Sequence, residues 1–120
     1  MKPIFLSFFE RLISKDNFKS FNRRTGLPFL SDEYKSFERR ISWQAKNQYR
    51  GKILIGDLQV LIMAYYKNKV HPDTGNLSKG ILDALQNAVY KNDRQIKKLM
   101  MEVVENSDKE YFEIYIKKIK

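Results

Sequence analysis

The chain has 120 residues, 42% of them apolar, including eight Phe and seven Tyr. That is too apolar for a disordered segment and the right size for one core. There is no cysteine and His71 is the single histidine, so disulfides, zinc–thiolate sites and multi-histidine zinc clusters are excluded, while a net charge of +9 permits an electrostatic footprint on nucleic acid.

The opening MKPIFLSFFERLISK is a poor secretory signal. Its apolar run is short, Glu10 and Arg11 interrupt it, and no small-residue cleavage site follows. No run approaches the roughly 18 or more apolar residues of a membrane span. The expectation is a soluble, cytoplasmic protein without a membrane partner.

In chain order, Ile4–Phe9 is aromatic and β-favouring and predicts a first strand. Residues 14–31 predict a loop or hairpin, with Gly26 and Pro28 as turn signals. Asp32 to about Gln48 predicts a helix. Ser31 is its candidate cap, acidic residues open it, and Tyr34, Phe37, Ile41 and Ala45 recur at helical spacing. Lys52–Tyr66 carries the strongest strand signal, in two parts. Ile53–Ile55 is short; Val60–Tyr66 is longer and reads as a central strand covered on both faces. Gly56 and Asp57 mark a bulge or turn between them. Asn76 to about Gln86 predicts a second helix. Leu99–Glu105 and Tyr111–Lys117 predict a hairpin around Asn106–Asp108. The order β, loop, α, β, α, β, β implies one α/β domain of the α+β kind, spanning residues 1–120. Its core would be a mixed β-sheet with two main helices packed on it.

The segment from His71 to Gln95 raises a chemical question. Leu77, Ile81, Leu85 and Ala88 line a buried face of the second helix. Asn76, Lys79 and Asp83 line another. Asp83 lies past mid-helix, where aspartate gains nothing from the dipole. Either it pairs with Lys79 at the surface, or it belongs to a cluster of carboxylates around Mg²⁺ or Mn²⁺. Asp73 and Asp93 are the other candidates. If the helix ran on to Val89, its ends would stand about 20 Å apart. If it stops near Gln86, the extended chain from Asn87 can return about that distance. Otherwise a second subunit must supply one ligand.

Pro72-Asp73-Thr74-Gly75-Asn76-Leu77-Ser78-Lys79, then Asp83-Ala84-Leu85, then Asn92-Asp93-Arg94-Gln95 resembles the RusA family of Holliday junction resolvases. Its central motif reads like PDxDNLxKxxxDAL, followed by a DD-containing segment and a glutamine. The resemblance covers nearly the whole chain, with the motif confined to 72–96, and implies a single RusA-like domain. It implies a dimeric, magnesium-dependent endonuclease that cuts four-way DNA junctions symmetrically in recombination and repair. It carries the catalytic roles onto Asp73, Lys79 and Asp93, with Asp73, Asp93 and Asp83 as the metal set for Mg²⁺ or Mn²⁺. Two departures stand out: the second aspartate of PDxDN falls on Gly75, and the first of DD falls on Asn92.

The basic residues complete the picture. Asn17, Lys19, Asn22, Arg23 and Arg24 lie among Phe18 and Phe21, with Phe29 beyond, a mixture that can track phosphates or meet an opened base. Lys15, Lys19, Arg23 and Arg24, with Asn76 and Arg94, make the expected DNA-binding set. A homodimer fits a branched substrate in which two equivalent strands are cut. The rival expectations are a non-catalytic branched-DNA binder on the same fold and a small structural or interaction protein.

Overall fold

The computed structural model describes residues 2–15, 19–21 and 23–119, the strands at 19–21 and 28–30 as backbone only. Helix α1 (Asp32–Gln48) forms where the local signals are densest. Ser31 Oγ accepts the Tyr34 N–H at 3.2 Å, Asp32 and Glu33 occupy the first turn, and Tyr34, Phe37, Ile41 and Ala45 are buried. Before it, β2 (Lys19–Phe21) and β3 (Pro28–Leu30) form the expected hairpin. Pro28 opens β3 rather than making the turn, the one strand position where its missing N–H costs little.

The main sheet has the order β1–β6–β4–β5, built from β1 (Ile4–Phe8), β4 (Leu58–Tyr65), β5 (Ile96–Val104) and β6 (Tyr111–Lys118). β4 runs parallel to β5 and antiparallel to β6, and β1 runs antiparallel to β6. Helix α2 (Ser78–Leu85) lies in the crossover between the two parallel strands. One core joins both helices to the sheet, with Phe112 stacked on Phe8 at 4.7 Å and tilted against Phe37 at 6.3 Å. The free edge of β1 is covered by Gln48, whose amide accepts from Ser7 N–H at 2.9 Å and donates to Ser7 C=O at 2.7 Å. A side chain thus pairs the backbone groups an edge strand would otherwise offer to another chain.

Four expectations are corrected. β5 and β6 are not a hairpin. They flank β4 on opposite sides, and the link crosses the end of β4, where Tyr66 N–H donates to Val104 C=O and Ser107 N–H to Tyr66 C=O, both at 2.9 Å. Asn106 takes a turn conformation, but a polar turn does not determine which strands it joins. Second, Ile53–Ile55 is no strand: Leu54 makes only an isolated bridge to Tyr90, and Gly56 turns the chain at φ +84° before β4 begins. Third, α2 starts at Ser78, after a 3-10 turn over Thr74–Asn76. Fourth, β4 is covered on one face only. Leu58, Val60, Ile62 and Ala64 are buried, while Gln59, Leu61, Met63 and Tyr65 alternate with them half-exposed. Both helices share the buried face, so the residues of the other meet neighbours on the sheet itself: Tyr65 stacks on Tyr111 at 4.2 Å and its hydroxyl donates to Glu113 at 3.0 Å.

Candidate functional site

Asp73 is reached through a segment pinned to the sheet. Tyr66 is buried and its hydroxyl donates to Leu12 C=O at 2.7 Å. The His71 ring stacks on it, 4.9 Å between centroids, and the Arg11 guanidinium also lies 4.9 Å from the Tyr66 centroid. Arg11 pairs with Glu110 at 2.8 Å and donates to Val70 C=O at 2.9 Å. His71 Nδ1 meets Pro72 C=O at 2.9 Å and Nε2 meets a Glu105 carboxylate oxygen at 2.6 Å. Both partners only accept, so the ring satisfies them best when doubly protonated. The Pro72 carbonyl first, then Glu105, raises its pKa above the ordinary histidine value. His71 is therefore an anchor, as a structural role for it requires.

Asp73 itself is exposed at the head of the Thr74–Asn76 turn and makes no side-chain capping bond. Its carbonyl accepts Asn76 N–H at 2.9 Å, and Ser14 Oγ donates to Asn76 C=O at 3.1 Å. Gly75 is exposed, has no positive φ, and a Cβ there would meet nothing within 4 Å. Neither backbone nor space demands glycine there; what is missing is a carboxylate alone.

Along α2, Leu77, Ile81 and Leu85 are buried and Lys79 is exposed. Gly80 is the close-approach residue, because a Cβ there would fall on Tyr34 Oη. Asp83 does not pair with Lys79. Its Oδ2 accepts Lys15 Nζ at 2.9 Å, and its Oδ1 accepts Gln86 Nε2 at 3.3 Å. Glu38 of α1 is close enough to feel both charges: burial raises its carboxyl pKa, Lys15 opposes this and Asp83 adds to it. Lys15 and Asp83 are only 19% and 28% exposed, so they tie the chain after β1 to α2 beside a cleft lined by Lys35, Glu38 and Arg39. Lys15, expected as a phosphate contact, and Asp83, expected as a metal ligand, are thus engaged with each other.

After α2 the chain turns at Gln86, as the return path to Asp93 required. Tyr90 is buried with its hydroxyl donating to Leu82 C=O at 2.6 Å. Burial, then the charges of Asp93 and Asp83, push the phenol pKa up strongly. A second 3-10 turn follows over Asp93–Gln95. Asn92 caps it by accepting Arg94 N–H at 2.8 Å. Gln95 clamps it: Oε1 accepts the N–H groups of Lys91 (3.0 Å) and Asn92 (2.9 Å), and Nε2 donates to Leu54 C=O (2.9 Å) and Gly56 C=O (3.1 Å). Asp93 and Arg94 are exposed on this locked turn. Asn92 replaces a family aspartate without loss to the cap, which either residue makes. Sequence reasoning noted the glutamine without a role; its amide spacing to Asn92, a capping-box pattern, was the available signal.

Among the described residues no three of His, Asp or Glu converge as a metal cluster. The expected trio of Asp73, Asp83 and Asp93 is therefore not assembled within one chain. Asp73 and Asp93 have no ion-pair partner among the described residues. As donors, exposed carboxylates suit a hard ion like Mg²⁺, which keeps several of its waters; two of them do not make a closed cage. Of the DNA-binding set, Arg23 and Arg24 are exposed in the turn between β2 and β3, and Asn76 and Arg94 are exposed beside the two acidic positions. Lys19 lies in β2 with its side chain outside the described residues, as are Asn17, Phe18 and Asn22.

The chain is thus a small α+β domain with two acidic turns around one helix, an exposed lysine on that helix and two exposed arginines in the hairpin turn. The family model for the endodeoxyribonuclease RusA matches residues 13–117, and the chain belongs to that family. The match takes in the hairpin, both helices and both turns. No curated protein matches the chain. Membership links it in general to Holliday junction resolution and to branched DNA.

Proposed function

We propose that the protein is a divalent-metal-dependent endodeoxyribonuclease that acts as a homodimer on four-way junctions in DNA recombination and repair. The observation that carries this reading is that Asp73, Lys79 and Asp93, the positions matching the family motif, are all exposed and bound to no counter-ion among the described residues. Asp73 and Asp93 are the proposed ligands for Mg²⁺ or Mn²⁺. When bound, such an ion supplies Lewis-acid polarisation of the phosphate and an acidified water. Lys79 would steady charge developing on the phosphoryl oxygens. Arg94 and Asn76 would hold the flanking backbone, and Arg23 and Arg24 would track phosphates of a junction arm. Asp83 is assigned to positioning Lys15 and α2.

The test is a synthetic four-way junction and a matching linear duplex, each incubated with chelator, Mg²⁺ or Mn²⁺. Paired cuts in the junction alone, only with metal, are expected. Binding should weaken steeply with salt and with charge reversal at Arg23 and Arg24. Equal affinity for junction and duplex would end the claim of structure selectivity. A second reading, a non-catalytic junction binder, is favoured by one observation, the loss of family carboxylates at Gly75 and Asn92. Junction binding without cleavage by the wild type and by a folded Gly75→Asp variant would establish it.

A further inference from the structure

The geometry points to the uncovered face of the main sheet as the surface on which two copies of this chain pack. The register sorts that face into rows across the strands. One apolar row joins Met100, Leu61, Tyr115 and Phe5. The row on one side places Glu102, Met63 and Glu113 together. The row on the other side places Lys98, Gln59 and Lys117 together. Phe5 is 49% and Met100 46% exposed, and they stand with Leu61 and Tyr115 in one contiguous row rather than singly. Among the described residues none of Lys98, Lys117, Glu102 and Glu113 has an ion-pair partner.

This pattern is complementary to itself. Consider a two-fold axis lying in the face, along the apolar row. It stacks that row on its own copy and exchanges the rows on either side. Each strand then lies over the same strand of the partner, reversed. Lys98 on β5 meets Glu102 of the partner subunit, and Lys117 on β6 meets Glu113 of the partner subunit. Four opposite-charge contacts flank an apolar seam, the arrangement a two-fold interface requires. Strand spacing of about 4.8 Å and rise of about 3.3 Å per residue give the face a footprint of roughly 500 Å². Two such faces bury about 1,000 Å², the lower bound for a specific interface. The exposed aromatics could instead stack nucleobases. The acidic row that flanks the aromatics on one side argues against that, since it repels phosphates.

The inference rests on the homodimeric part of the function proposed above and names its surface. Sedimentation equilibrium tests it on the full chain at micromolar concentration. The wild type should run at twice 14.3 kDa. Glu102→Lys with Glu113→Lys makes the face wholly basic; Lys98→Glu with Lys117→Glu makes it wholly acidic. Each double variant should dimerise about 100-fold more weakly, because like charges then face each other. Mixed one to one, the two should restore a dimer. As a measurement independent of charge, Leu61→Cys places a lone thiol on the axis of a chain that has no cysteine. It should cross-link to dimers on mild oxidation, whereas Lys46→Cys on α1 should not. Wild type and both double variants equally dimeric, with no cross-link through Leu61→Cys, would leave the homodimer standing and overturn this surface. A strictly monomeric wild type would overturn both. A monomer whose affinity for single-stranded DNA falls on Tyr115→Ala would give the face to nucleic acid instead.

Discussion

Two 3-10 turns bracket α2, and each presents one exposed aspartate, yet they are held by different means. The turn after the helix is locked from within: Asn92 caps it and the Gln95 amide holds four backbone groups of two segments, Lys91 with Asn92 and Leu54 with Gly56. The turn before the helix has no side-chain cap at all. Its order is imposed from upstream, by Arg11, Tyr66 and His71, and from the side by Ser14. A site made from the two therefore has one rigid ligand position and one whose placement depends on remote anchors. The glycine that departs from the family pattern falls in the second, less constrained turn. That turn has the room to lose or regain a carboxylate without refolding.

The largest expected effect removes either charge. Asp73→Asn and Asp93→Asn should each lower metal-dependent junction cleavage by about 1,000-fold or more. Loss of a ligand should exceed the roughly 10–100-fold seen when a ligand's supporting residue is lost. Thermal stability should hardly change, since both residues are exposed, and junction affinity in chelator should be kept. Single-turnover cleavage alongside a binding titration separates the two effects. A variant at either position that cuts normally would remove that turn from the site.

Gln95→Ala breaks the internal lock. It leaves four backbone groups without their partner, at a cost of about 2 kcal/mol given that the clamp is only half-buried. Because Asp93 would then lose its fixed direction, cleavage should fall about 10–100-fold. Ser14→Ala, which removes the lateral bond from Ser14 to the other turn, should cost about 1 kcal/mol or less. Chemical denaturation of both variants compares the turns directly. Equal losses would mean that the two are held alike.

Gly75→Asp tests the open turn. With no positive φ and nothing within 4 Å of a new Cβ, the variant should fold with unchanged stability. A third carboxylate should tighten divalent-ion binding about tenfold by adding charge and a ligand. Titration calorimetry with Mn²⁺, with and without junction DNA, reads this out. Wild type should bind measurably only with DNA present, when phosphates complete the shell. Tight binding by wild type alone would show that two carboxylates suffice.

How much of this was legible beforehand follows from the range of the interactions involved. Helix α1 was readable from its start at Asp32 to about Gln48, because the Ser31 cap, the acidic first turn and the spacing from Tyr34 to Ala45 are all local. The order Asp73, Lys79, Asp93 was readable because a motif preserves it. The Lys15–Asp83 pair was not, since the partners are 68 residues apart and Lys79 offered a nearer, false partner. The β5–β6 hairpin was misread for a related reason. A polar turn reports a change of direction, whereas β4 inserts between the two strands through pairings distant in sequence. The continuous apolarity of Val60–Tyr66 was read as two covered faces. It marks two faces that need covering, and both helices settle on the same one.

The smallest expected effect concerns the remote anchors of the first turn. Glu110 pairs with Arg11 and accepts Lys67 N–H at 3.2 Å. Burial pushes its carboxyl pKa up, but the Lys67 N–H and the Arg11 guanidinium outweigh it and hold the group below the ordinary glutamate value. A depressed folded pKa means that the folded state binds this proton less readily than the unfolded chain does. The contribution to stability is then fully present above the unfolded value near pH 4.5. It fades as pH falls through the lower folded value. Glu110→Gln keeps the size and one acceptor while removing the charge. At pH 7 it should cost about 1 kcal/mol or less, as expected for a partly exposed pair. As the pH falls through that lower folded value, the wild-type carboxyl is protonated and the two proteins should converge. Thermal melts of both across pH 3 to 7 measure the gap. A gap that stays constant with pH would mean that the glutamate acts through packing and hydrogen bonding alone. The upstream anchor of the Asp73 turn would then owe nothing to its charge.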